Sequence, residues 1–231
     1  MSINSLASRM KEYEFISTHN LTRRIPVIIR IDGKAFHGFT AKYCKSKWDK
    51  LFATSMADTA MFVMDQMQGC QFSYVQSDEI SFLLTDYRTI KTDAWFSYNI
   101  NKIVSISAAA ASSFMYKSWG DTALFDSRAF NVPVDEVCNY FIFRQQDATR
   151  NAIQIAGQEH FSHKELHKKS CNQIQDMLFK EKRINFNDYP VARKRGLCVI
   201  KKGETKGVDW YPPIFSKDRN YIEKFVNIRE D

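Results

Sequence analysis

The stretch VIIRIDGKAFHGF, Val27–Phe39, decides how the chain is interpreted. Its first five residues are mostly β-branched and apolar, and Pro26 precedes them, which together predict a strand at Val27–Ile31. Asp32 and Gly33 follow at once. This pair is typical of a strand-ending turn, and it equally suits a site for a cation and phosphate groups. The fold around the pair has to decide between these two interpretations.

The order of elements around this strand predicts an α+β fold. Residues 48–68 carry apolar side chains at helical spacing, residues 70–76 and 80–84 form two short β-like runs, residues 94–119 return to helical spacing, and residues 125–133 predict another strand. Strand, helix, strand, strand, helix, strand is the ferredoxin-like order, with an antiparallel sheet and both helices on one face. The remainder is expected to be mostly helical, with a capping box at Ser162–Glu165 and a basic turn and strand near residues 193–203. We expect a catalytic domain at 1–132 and a helical, basic C-terminal extension at 133–231, packed together as one unit.

This topology brings two distant acidic segments together. Asp32 ends the first strand, and Asp78 and Glu79 lie at the bend between the second and third strands. The two segments can therefore meet on neighbouring central strands. Carboxylate oxygens are the ligands that Mg²⁺ prefers, and a pair of Mg²⁺ ions supports phosphoryl or nucleotidyl transfer. The alternative is two solvated turns.

Composition limits the number of domains, the kinds of partner and the cellular compartment that we expect. The chain has 231 residues, 44% of them hydrophobic, and a formal charge of +7 from 33 basic and 26 acidic residues. This length suits one elaborated domain, and the positive charge makes a polyanionic partner plausible. Five dispersed cysteines argue against a disulfide framework and a zinc ribbon. We expect a soluble, cytoplasmic protein without a signal peptide or membrane span.

Four ordered motifs carry a family resemblance. RIDGKAFHGF at 30–39, QSDEISF at 76–82, FRQQDATRNAI at 143–153 and INFNDYP…RKRG at 184–196 resemble the tRNA-His guanylyltransferase superfamily over nearly the whole chain to about Gly196. Members are transferases in tRNA processing. They act as reverse polymerases, adding nucleotides to the 5′ end of tRNA in the 3′-to-5′ direction with a domain like a polymerase palm.

The resemblance assigns roles to residues of this chain. It implies that Asp32 and Asp78 bind two Mg²⁺ ions with the Gly33 carbonyl, and that Glu79 supports this catalytic site. ATP, GTP and other nucleoside triphosphates would bind at Gly33, Lys34, Ala35, Phe36, His37, Asp49, Ser77 and Lys102. RNA would contact Asn151, Arg193, Lys194 and Arg195. A homotetramer is also implied.

Differences from the family motifs indicate which branch of the superfamily, and which of its reactions, to expect. TRNAIQI at 149–155 stands where eukaryotic members have HINNLYN, and Asn99 replaces an arginine found three residues before the lysine that contacts triphosphate. Both changes resemble the "like" branch, which is associated with template-dependent repair of the tRNA 5′ end. The implied reaction activates a 5′-monophosphate with ATP. The 3′-hydroxyl of an incoming nucleotide then attacks that activated end.

Other interpretations of these residues remain open. A catalytically inactive RNA-binding module would keep the basic residues, including Lys164, Lys168 and Lys169, and a two-metal nucleotide cyclase can use a related fold. Arg128 could bind an anion, although a structural bridge to Asp126 is favoured. His163, His167 and Cys171 recur every four residues, so one helix face could present them to zinc, but no second ligand pair has a supporting motif.

Overall fold

The residues that the structure describes form one sheet of six antiparallel strands. A computed structural model describes residues 5–203 and 205–230. The strand order is β4-β1-β3-β2-β5-β6, and every neighbouring pair is antiparallel. The strands are β1 Val27–Gly33, β2 Cys70–Gln76, β3 Glu79–Leu84, β4 Phe125–Asn131, β5 Leu197–Lys202 and β6 Thr205–Asp209. The first four strands have the predicted ferredoxin-like order, so the predicted α+β fold class is confirmed.

The helices cover both faces of this sheet. They are α1 Leu6–Ile16, α2 Phe36–Tyr43, α3 Lys50–Gln66, α4 Ile100–Trp119, α5 Val137–Gln158, α6 His163–Leu166, α7 Cys171–Lys182, α8 Val191–Arg195 and α9 Asn220–Glu223. Because side chains alternate along a strand, β1 buries Ile29 on the face under α3 and α4 and Ile28 on the opposite face under α5. A third apolar cluster joins α5 to α6 and α7.

Several predicted boundaries differ from the structure. The second long helix begins at Ile100, six residues later than predicted, because Phe96, Ser97 and Tyr98 have positive φ values of 50°, 51° and 59°. Such left-handed backbone cannot belong to a right-handed helix. Helix α2 and strand β6 were not predicted. The boundary between 132 and 133 stays a prediction, while β5 and β6 from the later part complete the sheet.

The helix face required for zinc is absent from the described part of the chain. Helix α6 ends at Leu166, and a new helix with its own capping box begins after Ser170. His163, His167 and Cys171 therefore do not share one face, and that hypothesis is wrong. None of the helices in residues 5–203 and 205–230 is long and apolar enough to cross a membrane.

Candidate active site

The two acidic segments meet at one end of the sheet. Asp32 near the end of β1 lies opposite Glu79, the first residue of β3. The Gly33 N–H donates to the Asp78 carbonyl at 3.0 Å, which ties the end of β1 to the turn that precedes β3. That turn places Ser77 at φ 48°. The predicted convergence of these segments is therefore confirmed, whereas the roles of their side chains stay predictions.

The carboxylates of Asp32 and Asp78 carry uncompensated negative charge. Neither forms an ion pair with any residue that the structure describes. Burial raises the pKa of Asp78, and the charges of Asp32 and Glu79 raise it further, against hydrogen bonds from its own N–H and from the Ser77 hydroxyl. A hard cation would relieve this repulsion. The chemistry of the donor set thus fits Mg²⁺.

Glu79 is held differently from these two aspartates. Its Oε1 accepts from Arg144 Nε at 2.8 Å and from Gln76 Nε2 at 3.0 Å, and its Oε2 accepts from Arg144 Nη2 at 2.6 Å. Sequence reasoning assigned no role to Arg144 or Gln76. The available signal was the pair of motifs, QSDEISF and FRQQDATRNAI, that contain them.

A cleft of about 1030 Å³ opens beside the carboxylates, between α2 and the α2–α3 loop on one side and α5 on the other. Its size suits a nucleotide. The Lys47 ammonium donates to Gln158 Oε1 at 2.7 Å, so one hydrogen bond spans from the loop to α5. The cleft is lined by these predicted site residues: Asp32, Gly33, Ala35, Phe36, His37, Asp49, Ser77, Asp78, Glu79, Asn151 and Arg193.

The N-terminus of α2 faces this cleft. Ala35 precedes the helix at φ 56°, a left-handed conformation that is uncommon for a residue with a Cβ, and no side chain caps the helix. Exposed N–H groups at a helix N-terminus attract anions such as phosphate. The approach of the Gly33 backbone to phosphate stays a prediction, and the packing of Phe36 gives a further reason for a glycine at this position. A Cβ at this position would lie 2.4 Å from the Phe36 ring.

Asp49 has a structural function in the described chain. It caps α3 by accepting from the backbone N–H groups of Leu51 and Phe52, and its second oxygen accepts from Lys45 at 3.1 Å. Partial burial raises the pKa of Asp49, but these three N–H donors outweigh it and hold the pKa below the ordinary value. Asp49 therefore shapes the loop that forms one wall of the cleft.

The basic residues predicted to bind RNA are engaged within the protein. Arg193 pairs with Glu159 at 2.5 Å and stacks on Tyr189, with its guanidinium carbon 3.7 Å from the ring centroid. The Lys194 ammonium donates to a backbone carbonyl, and Arg195 Nε donates to the Pro212 carbonyl at 3.1 Å. Each of these charged groups would have to give up or share its contact within the protein in order to bind RNA.

Four predicted residues lie outside the cleft lining of the described chain: Lys34, Lys102, Lys194 and Arg195. Lys102 lies in the first turn of α4, with its ammonium 6.0 Å from the Phe96 ring centroid. The contact of Lys102 with triphosphate stays a prediction. Arg128 lies 3.5 Å from Asp126, as the structural interpretation predicted.

Comparison with known proteins now identifies the family. A sequence model described as tRNAHis guanylyltransferase matches residues 7–133. The chain belongs to this family. It is a tRNA guanylyltransferase-like nucleotidyltransferase, which confirms the family resemblance of the four motifs. A probable tRNA(His) guanylyltransferase of Dictyostelium discoideum is 28% identical over 217 residues, covering 83% of this chain and 82% of the relative.

Two solved structures of guanylyltransferase-like proteins superpose on nearly the whole chain. A bacterial tRNA(His) guanylyltransferase-like protein in complex with ATP is 43% identical, with a TM-score of 0.91 over 96% of this chain and 100% of that chain. A bacterial guanylyltransferase-like protein in complex with GTP is 39% identical, with a TM-score of 0.86 over 97% and 100%. The guanylyltransferase fold therefore extends past the matched residues 7–133 into the C-terminal part.

Proposed function

We propose that this guanylyltransferase-like enzyme adds nucleotides to the 5′ end of tRNA in the 3′-to-5′ direction, copying a template as in repair of a truncated end. One observation carries the proposal. Two carboxylates without ionic partners among the described residues, Asp32 and Asp78, lie at the edge of a cleft of nucleotide size that the uncapped N-terminus of α2 also faces. Phosphoryl-transfer enzymes place their cation ligands and phosphate-binding N–H groups in the same way.

Nucleoside triphosphates are the proposed small substrates. Relatives with 43% and 39% identity form complexes with ATP and GTP, which supports binding of both nucleotides here. The first turn of α2, with Phe36 and His37, would receive phosphate groups, and the α2–α3 loop and α5 would enclose the sugar and base. Ser77 also lines the cleft, with its hydroxyl donating to the Asp78 carboxylate.

Asp32, Asp78 and the Gly33 carbonyl would hold two Mg²⁺ ions, with Glu79 supporting the site. When bound, such ions stabilise the attacking and leaving oxygens of a transferring phosphoryl group. The protein itself supplies no nucleophile. Its residues would align the 5′-phosphate of the RNA with the α-phosphate of ATP, so that AMP is transferred to the RNA end and pyrophosphate leaves. They would then align the 3′-hydroxyl of the next nucleotide with the adenylylated end, from which AMP leaves. Such alignment accounts for most of the acceleration in phosphoryl transfer.

The charge and surface support two further parts of the proposal. A net charge of +7 favours tRNA as the macromolecular substrate.

Helix α1 buries none of its residues and exposes Leu6, Tyr13, Phe15 and Ile16 by 65%, 70%, 72% and 75%. Apolar exposure on this scale is typical of a surface that contacts another protein, which supports the proposed homotetramer. The five cysteines are free, as suits a cytoplasmic setting.

A single extension assay tests the proposal. A tRNA lacking its first 5′ nucleotides and a tRNA-His lacking only its extra 5′ guanosine are each incubated with Mg²⁺, ATP and GTP. We expect lengthening of the truncated tRNA, complete loss of lengthening in Asp32→Ala and Asp78→Ala, and normal activity in Asp176→Ala, whose side chain is exposed on α7.

The other outcomes of this assay separate the alternatives. Exclusive extension of the tRNA-His substrate would refute repair and leave only guanylyl addition. Binding of both RNAs without extension would indicate an inactive RNA-binding module. Formation of a cyclic nucleotide would indicate a cyclase.

A further inference from the structure

Protein groups already neutralise the Glu79 carboxylate. The Arg144 guanidinium grips both of its oxygens, at 2.8 and 2.6 Å, and the Gln76 amide donates to Oε1. Arg30 Nε lies 3.7 Å from Oε2. A carboxylate offers about four lone-pair sites, and a bidentate arginine fixes its orientation as well as its charge. Glu79 therefore retains little capacity to bind a cation.

The Glu79–Arg144 pair is also among the most buried ionic contacts of the described residues. Glu79 is 8% exposed and Arg144 is 7% exposed. If Glu79 turned away to bind a cation, Asp147 at 3.3 Å would be the one charged partner left to the guanidinium among the described residues, in surroundings poor in water. An arginine left partly unpaired in such surroundings is strongly disfavoured. Glu79 is thus expected to remain on Arg144 throughout turnover.

The position of this pair suggests what it does. Glu79 follows Asp78 directly and lies opposite Asp32 in the sheet. Arg144 lies on α5, and Asp147 and Asn151 of the same helix line the cleft. The ion pair therefore fastens the helical wall of the cleft to the strand that follows the Asp78 turn.

From this arrangement we infer that Arg144 is a positioning residue for the nucleotidyl transfer. By clamping Glu79, it fixes the Ser77–Asp78 turn against Asp32, and Glu79 itself touches neither the cation nor the reacting atoms. This inference rests on the proposed function and refines it, because it divides three adjacent carboxylates into two that bind the cation and one that orients them.

The test compares metal affinity with reaction rate. Mn²⁺ replaces Mg²⁺, and its affinity is measured by calorimetry in the presence of ATP, without RNA, for the wild type, Glu79→Gln, Arg144→Lys and Asp78→Asn. Arg144→Lys keeps the positive charge but cannot form two parallel hydrogen bonds to the Glu79 carboxylate. It therefore removes the fixed orientation of Glu79 without leaving that buried carboxylate unpaired. Arg88→Met is the matched control, because Arg88 forms an exposed pair with Glu230.

We expect Asp78→Asn, which removes a cation ligand, to lose most of its Mn²⁺ affinity. Glu79→Gln and Arg144→Lys, which only disturb the orientation of the ligands, should weaken Mn²⁺ binding by no more than about 10-fold. Both of the latter variants should extend RNA about 10- to 100-fold more slowly, the loss typical when a group that orients metal ligands is removed. Their double variant should be no slower than the slower single variant, since both changes release one clamp. Arg88→Met should match the wild type throughout.

Two results would overturn the inference. One is a loss of Mn²⁺ affinity in Glu79→Gln equal to that in Asp78→Asn, and the other is a wild-type rate in Arg144→Lys. Failure of the proposed function gives a different pattern. The wild type would then extend no RNA, while the Mn²⁺ measurements would still decide whether Glu79 binds the cation.

Discussion

Replacing Gly196 with alanine tests how the C-terminal part is joined to the candidate site. Gly196 links α8 to β5 and lines the cleft. It has φ 77° and ψ −174°, a conformation that is essentially limited to glycine. A Cβ would lie 2.5 Å from the Val75 carbonyl oxygen and 2.7 Å from the Tyr74 hydroxyl. The first of these atoms belongs to the backbone of strand β2 and cannot turn aside.

The expected loss of stability combines three contributions. Backbone strain of this kind costs about 1–3 kcal/mol, and inserting a methyl group into filled space costs about 1–3 kcal/mol more. Reduced freedom of the unfolded chain returns about 0.4–1 kcal/mol. We therefore expect Gly196→Ala to lower the free energy of unfolding by about 3 kcal/mol, which for a chain of this size lowers Tm by roughly 6–12 °C.

Gly120→Ala is the matched control for this prediction. Gly120 also has a positive φ, 68°, at the end of α4, but a Cβ there would meet no atom within 4 Å. Only left-handed strain remains, so we expect a net loss of about 1 kcal/mol. Urea denaturation at constant slope measures both variants. Equal losses in the two variants would refute the reasoning, because the contact with Val75 would then have no effect.

Three further predictions concern charge and helix capping. Asp78→Asn should be more stable than the wild type at pH 7, because the folded state raises the pKa of Asp78, so that ionisation of Asp78 favours unfolding. This gain in stability should disappear below about pH 4, where the carboxyl is protonated in the unfolded chain as well. Denaturation curves that show the same gain at every pH would contradict this prediction. Arg193→Met should lower the free energy of unfolding, measured in urea, by about 2–3 kcal/mol, because it leaves Glu159 without its partner. Lys169→Met, at an exposed position, should change stability little. Equal stability of the two variants would show that the pair of Arg193 with Glu159 contributes nothing. Ser170→Ala should cost about 1 kcal/mol by removing the capping box of α7, and a wild-type urea midpoint would exclude that contribution.

The elements with strong periodicity were predictable from the sequence. Strands β1 to β3 and helix α3 were placed within two residues, because their apolar side chains repeat at the period of the element. Helix α2 was missed, since FHGFTAKY contains a glycine and mixes polar and aromatic residues. Strand β6 was missed because TKGVD has hardly any apolar residue, and its pairing with β5 alone defines it.

The candidate site was predictable as far as its residues belong to short motifs. The meeting of Asp32 with Asp78 followed from the topology of the strands. The contacts of Arg144 and Gln76 did not, because a charged residue in a helix reveals its partner only after the helix is packed on the sheet. The contact of Asp49 with the Lys45 N–H was equally hidden, since it depends on the bend at residues 45–48.

The insertion of β5 beside β2 has a consequence for synthesis of the chain. Residues 70–84 leave the ribosome early and can pair with β1, but the outer edge of β2 stays open until residue 202 has emerged. An open strand edge pairs readily with other chains, so the nascent protein passes through a stage that is prone to aggregation. Released fragments ending at residue 133 should therefore depend on chaperones, and those ending past residue 209 should not.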